Sequence, residues 1–229
     1  TEADIAEIDT QIKNLASRFG ISEDEMRVEL DKKIRGFIEG GEVGRRTGIS
    51  TLEKCLDSGY TKSQFETGTS GGAIGWGEHK SVDRAKLEAK MFGLDMDTPF
   101  VDRPVYGMIF PKEESALKDY IYNGPGSWYG GDGVDRYDIT KKCVIIFDKG
   151  AIGDRTSITL GDSLDFESSV YSSTLNDPHF AGAFSGFAGD IRTLDDFRRA
   201  DISKLFSGRI SDGYLECQIH GQEAHAITS

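Results

Sequence analysis

Apolar side chains recur every three or four positions through the first 40 residues of the chain. The first set runs over 5–19 and is followed by Gly20, and the second set runs over 26–38. Ser22 and Glu25, just before the second set, have the spacing of a capping box, in which each side chain hydrogen-bonds to the backbone of the other residue. A period of three to four is typical of amphipathic helices. The pattern therefore predicts two helices, which we treat as a helical extension over residues 1–45.

Glycines and helical patterns alternate in the next part of the chain. Ten of the 28 glycines lie in 40–77, a density that predicts turns, close backbone approaches and a mobile segment. Within it, 51–59 has the pattern of a short helix that ends at a glycine. Another helix is predicted over 81–92, where Arg84 and Glu88 are four residues apart and three apolar residues share one side.

Short β-branched and aromatic runs dominate the second half of the chain. Four of these runs, bounded by Gly, Asp or Pro, predict strands at 105–110, 141–148, 156–160 and 213–221. A polar helix is predicted over 194–206. Helices followed by strands are typical of an α+β fold, and we expect one domain over 46–229.

The charge of the chain restricts the classes of partner. Of 229 residues, 39 are Asp or Glu and 27 are Lys or Arg, so the formal net charge is −12. Such an acidic surface excludes general binding to nucleic-acid backbones. The longest apolar runs are far shorter than the roughly 20 residues that span a bilayer, so we expect no membrane span. We also expect the protein to be a monomer. The sequence also begins without the basic and apolar regions of a Sec-type signal.

The cysteines and histidines have no metal-binding spacing. The three cysteines are an odd number without a CxxC pair, and the four histidines form no HxH or HxxxH pair. We therefore expect Cys55, Cys143 and Cys217 to be reduced core thiols, and we expect no structural metal site.

The last predicted strand combines an apolar face with a row of polar side chains. Alternation along 213–221 puts Tyr214, Glu216, Gln218 and His220 on one face. A carboxylate among hydrogen-bonding neighbours can act as a general base or stabilise a cation, although a solvated strand face has the same pattern. Glu216 and His220 would be roughly 13 Å apart at about 3.3 Å per residue, which is too far for an acid/base pair of a hydrolase.

Two other runs carry candidate polar groups. Ser157 and Thr159 lie on one face of the third predicted strand, and Thr156 lies on the other. A proline forces Arg103 into an extended conformation at the start of the first strand, and a guanidinium group suits a pyrophosphate. Both runs are also compatible with ordinary structural roles. However, Arg on one strand, Ser/Thr on a later strand and Glu on the last strand is the arrangement that cleavage of a nicotinamide glycosidic bond requires.

The chain resembles a group of bacterial and phage proteins that carry similar blocks in the same order. The blocks are KSQFETGTSGG (62–72), the helix from Arg84 through Glu88 to Phe92 and Gly93, RPVYG (103–107), RTSITLGDS (155–163) and YLECQIHG (214–221). In that group the blocks form a module attached to phage head-morphogenesis proteins, polymorphic toxins or secreted effectors. The module is similar to mono-ADP-ribosyltransferases with an Arg, Ser/Thr, Glu triad. The resemblance, which covers about 50–225, implies an ADP-ribosyltransferase-like split β-sandwich after the helical extension.

The resemblance implies a site for NAD as substrate, with no metal. Arg103 would bind the pyrophosphate or the nicotinamide ribose, and Ser157 would hold that ribose and orient the glutamate. Glu216 would polarise the ribose 2′-hydroxyl and stabilise the cation that forms as nicotinamide leaves. The same blocks supply further residues of the NAD site: Tyr106, Gly107, Thr156 and Thr159.

The sequence departs from the family pattern beside the catalytic glutamate. Arginine-modifying transferases carry Glu or Gln two residues before that glutamate, where this chain has Tyr214. The family pattern can be aligned with this strand in two frames. In the first frame Glu216 is catalytic and Tyr214 contacts the acceptor. In the other frame Gln218 takes the catalytic position, and an amide supplies no negative charge. We adopt the first frame, with Gln218 beside the acceptor and Glu66, on a predicted strand face, as a second functional carboxylate.

These residues imply two functions. The first is an enzyme that transfers ADP-ribose from NAD to a target protein of a host or competitor cell. Such an enzyme would be a toxin or effector, secreted or delivered without a Sec signal, or else cytoplasmic. The alternative, favoured by Tyr214 and Gln218, is a transferase-like binding module without turnover, serving as an effector scaffold or a phage structural part.

Overall fold

Helices and one antiparallel sheet make up the computed structural model of the chain, which describes residues 2–67, 78–112, 142–160, 173–174, 191–200 and 215–221. This is the α+β class that the sequence predicts. The helices are α1 (Glu2–Phe19), α2 (Glu23–Gly40), α3 (Ile49–Ser58), α4 (Gln64–Thr67), α5 (Glu78–Phe92), α6 (Lys149–Ile152) and α7 (Leu194–Arg199). The strands are β1 (Gly41–Gly48), β2 (Val105–Pro111), β3 (Lys142–Phe147), β4 (Thr156–Leu160), β5 (Ser173–Thr174) and β6 (Leu215–Ile219).

The ends of α1 and α5 and the start of α2 are confirmed by their caps, whereas α5 begins at Glu78, three residues before the predicted start. Gly20 follows α1 with φ of 70°, and Gly93 follows α5 with φ of 69°, a left-handed conformation that favours glycine. The capping box of α2 is present: the Glu25 N–H donates to the Ser22 hydroxyl at 3.2 Å, and the Ser22 N–H donates to the Glu25 carboxylate at 2.9 Å. The polar helix predicted from residue 194 begins as α7, and its part beyond residue 200 lies outside the described residues.

The sheet brings together the three blocks that carry the candidate triad. Its strand order is β3-β1-β2-β6-β4-β5, and each pair of neighbours is antiparallel. The four strands predicted from the sequence are confirmed as β2, β3, β4 and β6. Because β6 lies between β2 and β4, the strand that carries Glu216 is a direct neighbour of the strands that carry the arginine and the hydroxyl blocks.

One central strand contradicts the sequence prediction. The glycine density predicts turns and a mobile segment from residue 40, but Gly41–Gly48 forms β1, which pairs with β2 on one side and β3 on the other. The strand was hard to predict because Val43 is its only apolar side chain, so its backbone pairing on both edges defines it. The predicted close backbone approach is confirmed here, since a Cβ on Gly107 would lie 2.8 Å from the carbonyl oxygen of Gly44.

The two N-terminal helices pack on one face of the sheet. A single hydrophobic cluster joins α1 and α2 to the strands through Ile12, Leu15, Met26, Leu30, Ile34, Ile38, Val43, Val105, Ile109, Ile158, Leu215, Cys217 and Ile219. The proposed boundary at residue 45 falls inside β1, and the division into extension and domain remains a prediction. The face against α1 and α2 is the apolar side of the sheet, so the opposite side is left to the polar residues.

Candidate functional site

Strand β6 is buried on both of its faces. Its apolar residues point into the hydrophobic cluster, as the alternation predicts, and on the other face Glu216 is 6% exposed and Gln218 is fully buried. The reading of this row as a solvated strand face is therefore wrong. A buried carboxylate needs partners, because an uncompensated charge in the interior is costly.

The strand register places the candidate hydroxyl, amide and carboxylate groups side by side. Tyr106, Gln218 and Ser157 form one row across β2, β6 and β4, and Glu216 lies opposite Thr159 in the adjacent row. Directly opposed residues in antiparallel strands point to the same face. We call these five residues, Tyr106, Ser157, Thr159, Glu216 and Gln218, the polar face.

Gln218 holds the carboxylate of the polar face. Its Nε2 donates to Glu216 Oε1 and to Thr159 Oγ1, each at 2.9 Å. An ionised carboxylate only accepts hydrogen bonds, so this orientation of the amide is the favourable one. The other atom of the amide, Oε1, is buried and has no hydrogen-bond partner among the residues that the structure describes. The amide therefore keeps one buried acceptor that no described residue satisfies.

Ser157 contacts a histidine that the sequence analysis does not assign to the site. Its Oγ lies 2.8 Å from Nε2 of His220, and its hydroxyl also reaches the carbonyl oxygen of Gln218 at 3.4 Å. The His220 ring is half-buried and packs in a T-shaped arrangement with the ring of Phe92 of α5, with ring centroids 4.6 Å apart. The serine hydroxyl is thus oriented from one side by a histidine. The alternation along β6, which puts His220 on this face, is the sequence signal that could have identified it.

Two of the predicted NAD-site residues lie on the opposite face of the sheet. Thr156 pairs with Ile219, and its hydroxyl donates to the carbonyl oxygen of Ile152 at 2.9 Å. Gly107 pairs with Cys217 and is the position of close approach between β1 and β2. Both residues belong to the apolar side, away from Glu216.

Arg103 is buried and bound to acceptors of its own chain. Its side chain is 1% exposed, and Nη1 donates to the carboxylate of Glu88 at 2.7 Å. Three further bonds reach backbone carbonyl oxygens: Nε to Thr98 at 3.2 Å, and Nη2 to Asp95 at 3.2 Å and to Met96 at 2.9 Å. Four of the five N–H donors of a guanidinium are thereby engaged.

Helix α5 connects Arg103 to the polar face. Glu88 accepts from the Tyr106 hydroxyl at 2.9 Å, and the guanidinium of Arg84 lies 4.2 Å from the centre of the Tyr106 ring. Burial raises the pKa of Glu88, and the hydrogen bonds from Arg103 and Tyr106 oppose that rise. Burial also raises the pKa of Tyr106 well above its usual value; Arg84 opposes this, whereas Glu88 and Glu216 add to it. Tyr106 is therefore a neutral hydrogen-bonding group between two carboxylates.

Glu66 has a structural role in the described structure. The prediction of a strand here is wrong, because Gln64–Thr67 is the short helix α4, although Phe65 is buried as predicted. The Glu66 carboxylate accepts from the Ser63 N–H at 2.7 Å and from the Tyr60 hydroxyl at 3.5 Å, which caps the helix. The ring of Phe65 lies 4.4 Å from the guanidinium carbon of Arg103. Glu66 thus stabilises the helix that supports the arginine.

The remaining predictions concern residues with other chemistry. Tyr214 lies outside the described residues. All three cysteines are free, and burial raises the pKa of the Cys217 thiol. Within the described ranges, no three or more His, Cys, Asp or Glu side chains come together in a way that could hold a metal ion. None of the helices in those ranges combines the length and the apolar character needed to cross a membrane.

Comparison of the chain with protein-family models gives no match, and comparison with curated proteins gives none either.

Proposed function

We propose that the protein is a mono-ADP-ribosyltransferase whose catalytic carboxylate is Glu216 on the polar face. The observation that carries the proposal is the arrangement around Gln218. Its amide donates to Glu216 and Thr159, and its own Oε1 is left as a buried acceptor. A sugar with neighbouring hydroxyl groups supplies the donors that such a pair of acceptors, one carboxylate and one amide oxygen, would bind.

The reaction follows from the charge of these groups. The Glu216 carboxylate accepts a hydrogen bond from the 2′-hydroxyl of the nicotinamide ribose. Its negative charge stabilises the positive charge that develops as the bond between C1′ and nicotinamide breaks. Nicotinamide leaves as a neutral molecule with the bonding electrons. A nucleophilic atom of the acceptor protein then bonds to C1′ and loses its proton to water. Ser157, contacted by His220 at 2.8 Å, holds the ribose during this step.

Arg103 supports the site through other residues in this proposal. Its engagement by Glu88 and three carbonyl oxygens leaves little capacity for the pyrophosphate of NAD that the resemblance assigns to it. It fixes Glu88, and Glu88 fixes the Tyr106 hydroxyl beside Gln218. Arg84, stacked on Tyr106, is the second cation at this face. The fold is proposed to be the ADP-ribosyltransferase-like split sandwich, and the biological role that of a toxin or effector acting on a host or competitor protein.

The test measures nicotinamide release and label transfer. Purified protein is incubated with labelled NAD, alone and with bacterial or host lysate, and nicotinamide is quantified by chromatography. We expect Glu216→Gln to lower turnover by roughly 100-fold or more, because it removes the charge that stabilises the cation. Glu53→Gln, which changes an exposed carboxylate on α3, is the matched control and should leave turnover unchanged. Absence of both release and transfer, or equal turnover in wild type and Glu216→Gln, contradicts the proposal.

A binding module without turnover is the second candidate. It is favoured by the burial of Glu216, by the engagement of Arg103, and by Tyr214 in place of the family's Glu or Gln. On this alternative the wild-type protein binds NAD or another nucleotide in calorimetry, yet releases no nicotinamide with any acceptor. A measurable turnover that Glu216→Gln abolishes would exclude it.

A further inference from the structure

A cleft of about 480 Å³ lies between α2 and α7, and it shares no residue with the polar face. The wall on α2 consists of positions 29, 32, 33, 36 and 37, which form one side of the helix. At 1.5 Å per residue this wall is about 12 Å long. The opposite wall is the end of α7, from Phe197 to Ala200. The dimensions are those of a site for a small molecule, for which volumes of about 300 to 1,000 Å³ are typical.

The cleft is positive, whereas the chain as a whole is strongly acidic. Four cations line it, Lys32, Lys33, Arg198 and Arg199, against the single carboxylate of Glu29. The formal charge of the whole chain is −12. A local reversal of sign of this kind concentrates anions at one place on a surface that otherwise repels them.

The walls of the cleft are joined by hydrogen bonds. Nε and Nη2 of Arg198 both donate to Glu29 Oε1, at 3.1 and 2.5 Å, and Lys33 Nζ donates to the carbonyl oxygen of Arg198 at 2.6 Å. The hydrogen bond from Arg198 lowers the pKa of Glu29, so the carboxylate is ionised and paired. The only anion of the lining is thus compensated inside the wall. Lys32 and Arg199, whose side chains are exposed, lie at the rim, and Nη2 of Arg199 also pairs with Oδ2 of the exposed Asp195 at 3.7 Å. Such an exposed pair is weak and leaves the guanidinium within reach of an anion.

The floor of the cleft is apolar and has room for a ring. Phe37 is half-buried beside the cleft, and Phe197 is fully buried behind it. Gly36 lies on the α2 wall, where an added Cβ would meet no atom within 4 Å. The absence of a side chain at this helical position leaves that part of the wall open.

We propose that this cleft binds a small organic phosphate, an aryl or nucleoside phosphate with one ring and one or two anionic groups. The phosphate lies between Lys32 and Arg199, which donate charge-assisted hydrogen bonds to it. The ring lies over Gly36 against Phe37. The short wall favours a compact ligand over an extended acidic peptide. None of these residues takes part in the proposed transferase reaction, so the site is separate from the NAD site.

The first experiment separates the two parts of the ligand. Phenyl phosphate, inorganic phosphate and benzyl alcohol are titrated into the full chain at low salt by calorimetry, with backbone amide shifts in NMR to locate binding. We expect phenyl phosphate to bind more tightly than either fragment. Its affinity should fall as the salt concentration is raised, because exposed charges are screened. Shifts should concentrate in α2 and α7.

Variants of the cleft then locate the site. A Cβ at position 36 meets no atom within 4 Å, so Gly36→Phe places a bulky side chain on the cleft wall and should abolish phenyl phosphate binding. Lys32→Glu and Arg199→Glu, both at exposed positions, should each weaken it by about tenfold through loss of an attractive charge. Lys13→Glu makes the same charge change on the exposed side of α1 and should have little effect. Glu216→Gln should bind phenyl phosphate as wild type does, which separates this site from the transferase site.

Several results would overturn the assignment. The first is no saturable binding of phenyl phosphate up to about 5 mM, a concentration that detects a Kd of about 1 mM. The others are equal binding of inorganic phosphate and unchanged binding in Gly36→Phe. If Lys13→Glu weakened phenyl phosphate binding as much as the charge reversals in the cleft do, the effect would come from the overall charge of the chain. Tighter binding of a hexaglutamate peptide than of phenyl phosphate would assign the cleft to an acidic protein segment. If Gly36→Phe fails to fold, the two charge reversals at exposed positions decide the question.

Discussion

Removal of the Glu88 carboxylate tests whether Arg103 is a structural group or a ligand-binding group. In Glu88→Ala, Nη1 of Arg103 and the hydroxyl of Tyr106 lose their shared acceptor, at 2.7 and 2.9 Å, while both side chains stay buried. Breaking one partner of a buried ion pair costs about 3 to 5 kcal/mol, and an unsatisfied hydroxyl adds to that. Arg103 keeps three bonds to carbonyl oxygens, so we expect a loss of about 3 to 4 kcal/mol in the free energy of unfolding.

The assay is urea unfolding followed by circular dichroism, with the double variant Glu88→Ala/Arg103→Met included. The double variant removes both charges, and we expect it to be more stable than Glu88→Ala alone, because no unpaired charge remains buried. Asp9→Ala breaks the exposed ion pair with Arg27 and serves as the control, with a loss below about 1 kcal/mol. A loss below about 1 kcal/mol for Glu88→Ala would refute the reasoning, as would a double variant less stable than both single variants.

The pH dependence of the same carboxyl has a definite sign. Burial raises the pKa of Glu88 in the folded state above the 4.5 of an ordinary glutamate. The protonated form is then favoured by folding, so the stability that this group contributes is complete below pH 4.5 and decreases as the pH rises through the folded-state pKa. Glu88→Gln cannot titrate. The stability of wild type minus that of Glu88→Gln should therefore fall with rising pH, and a difference that rises with pH would contradict the assignment.

Three further predictions concern the sheet. Gly107→Ala should lower the free energy of unfolding in urea by about 1 to 3 kcal/mol, because its Cβ would lie 2.8 Å from a carbonyl oxygen of β1. A loss near zero would mean that the two strands can move apart easily. Iodoacetamide should modify the half-buried Cys143 first and leave Cys217 unmodified in the native state, since Cys217 is fully buried and its thiol pKa is raised; peptide mass spectrometry reads this. Gln218→Met should lower nicotinamide release by roughly tenfold or more while the protein stays folded, because Glu216 loses its amide donor, and full activity would show that the amide is dispensable.

Local signals made most of the secondary structure predictable. The capping box at Ser22 and the left-handed glycines depend only on neighbouring residues, so the sequence alone locates the ends of those helices. Strand β1 is different, since its stability comes from partners that lie more than 50 residues away, at Gly41↔Pro111 and at Gly48↔Lys142. Its own composition, with three glycines in eight residues, contains none of that information.

The polar face of β6 was predictable from alternation, but its burial was not. The sequence predicts a helix over 81–92 in which Val82 is one of three apolar residues that share one side. In the structure Arg84 and Glu88 are buried, whereas Val82 is 39% exposed. A polar sheet face can be covered only by groups that satisfy its hydrogen bonds, and here that requirement outweighs the burial of an apolar helix face. The role of Arg103 escaped prediction for a similar reason, because its acceptors are a helix carboxylate and loop carbonyls that only the fold brings together.

The two sides of the sheet therefore carry different chemistry. The side against α1 and α2 is apolar and provides stability through ordinary hydrophobic burial. The side against α5 keeps two buried carboxylates, Glu88 and Glu216, on either side of Tyr106. Well-packed apolar residues would often be as stable as a buried ionic network or more so, so stability alone does not account for these charges. Retention of costly charged groups is typical of functional sites. This asymmetry supports a search for function on the polar face rather than among the more numerous acidic residues of the surface.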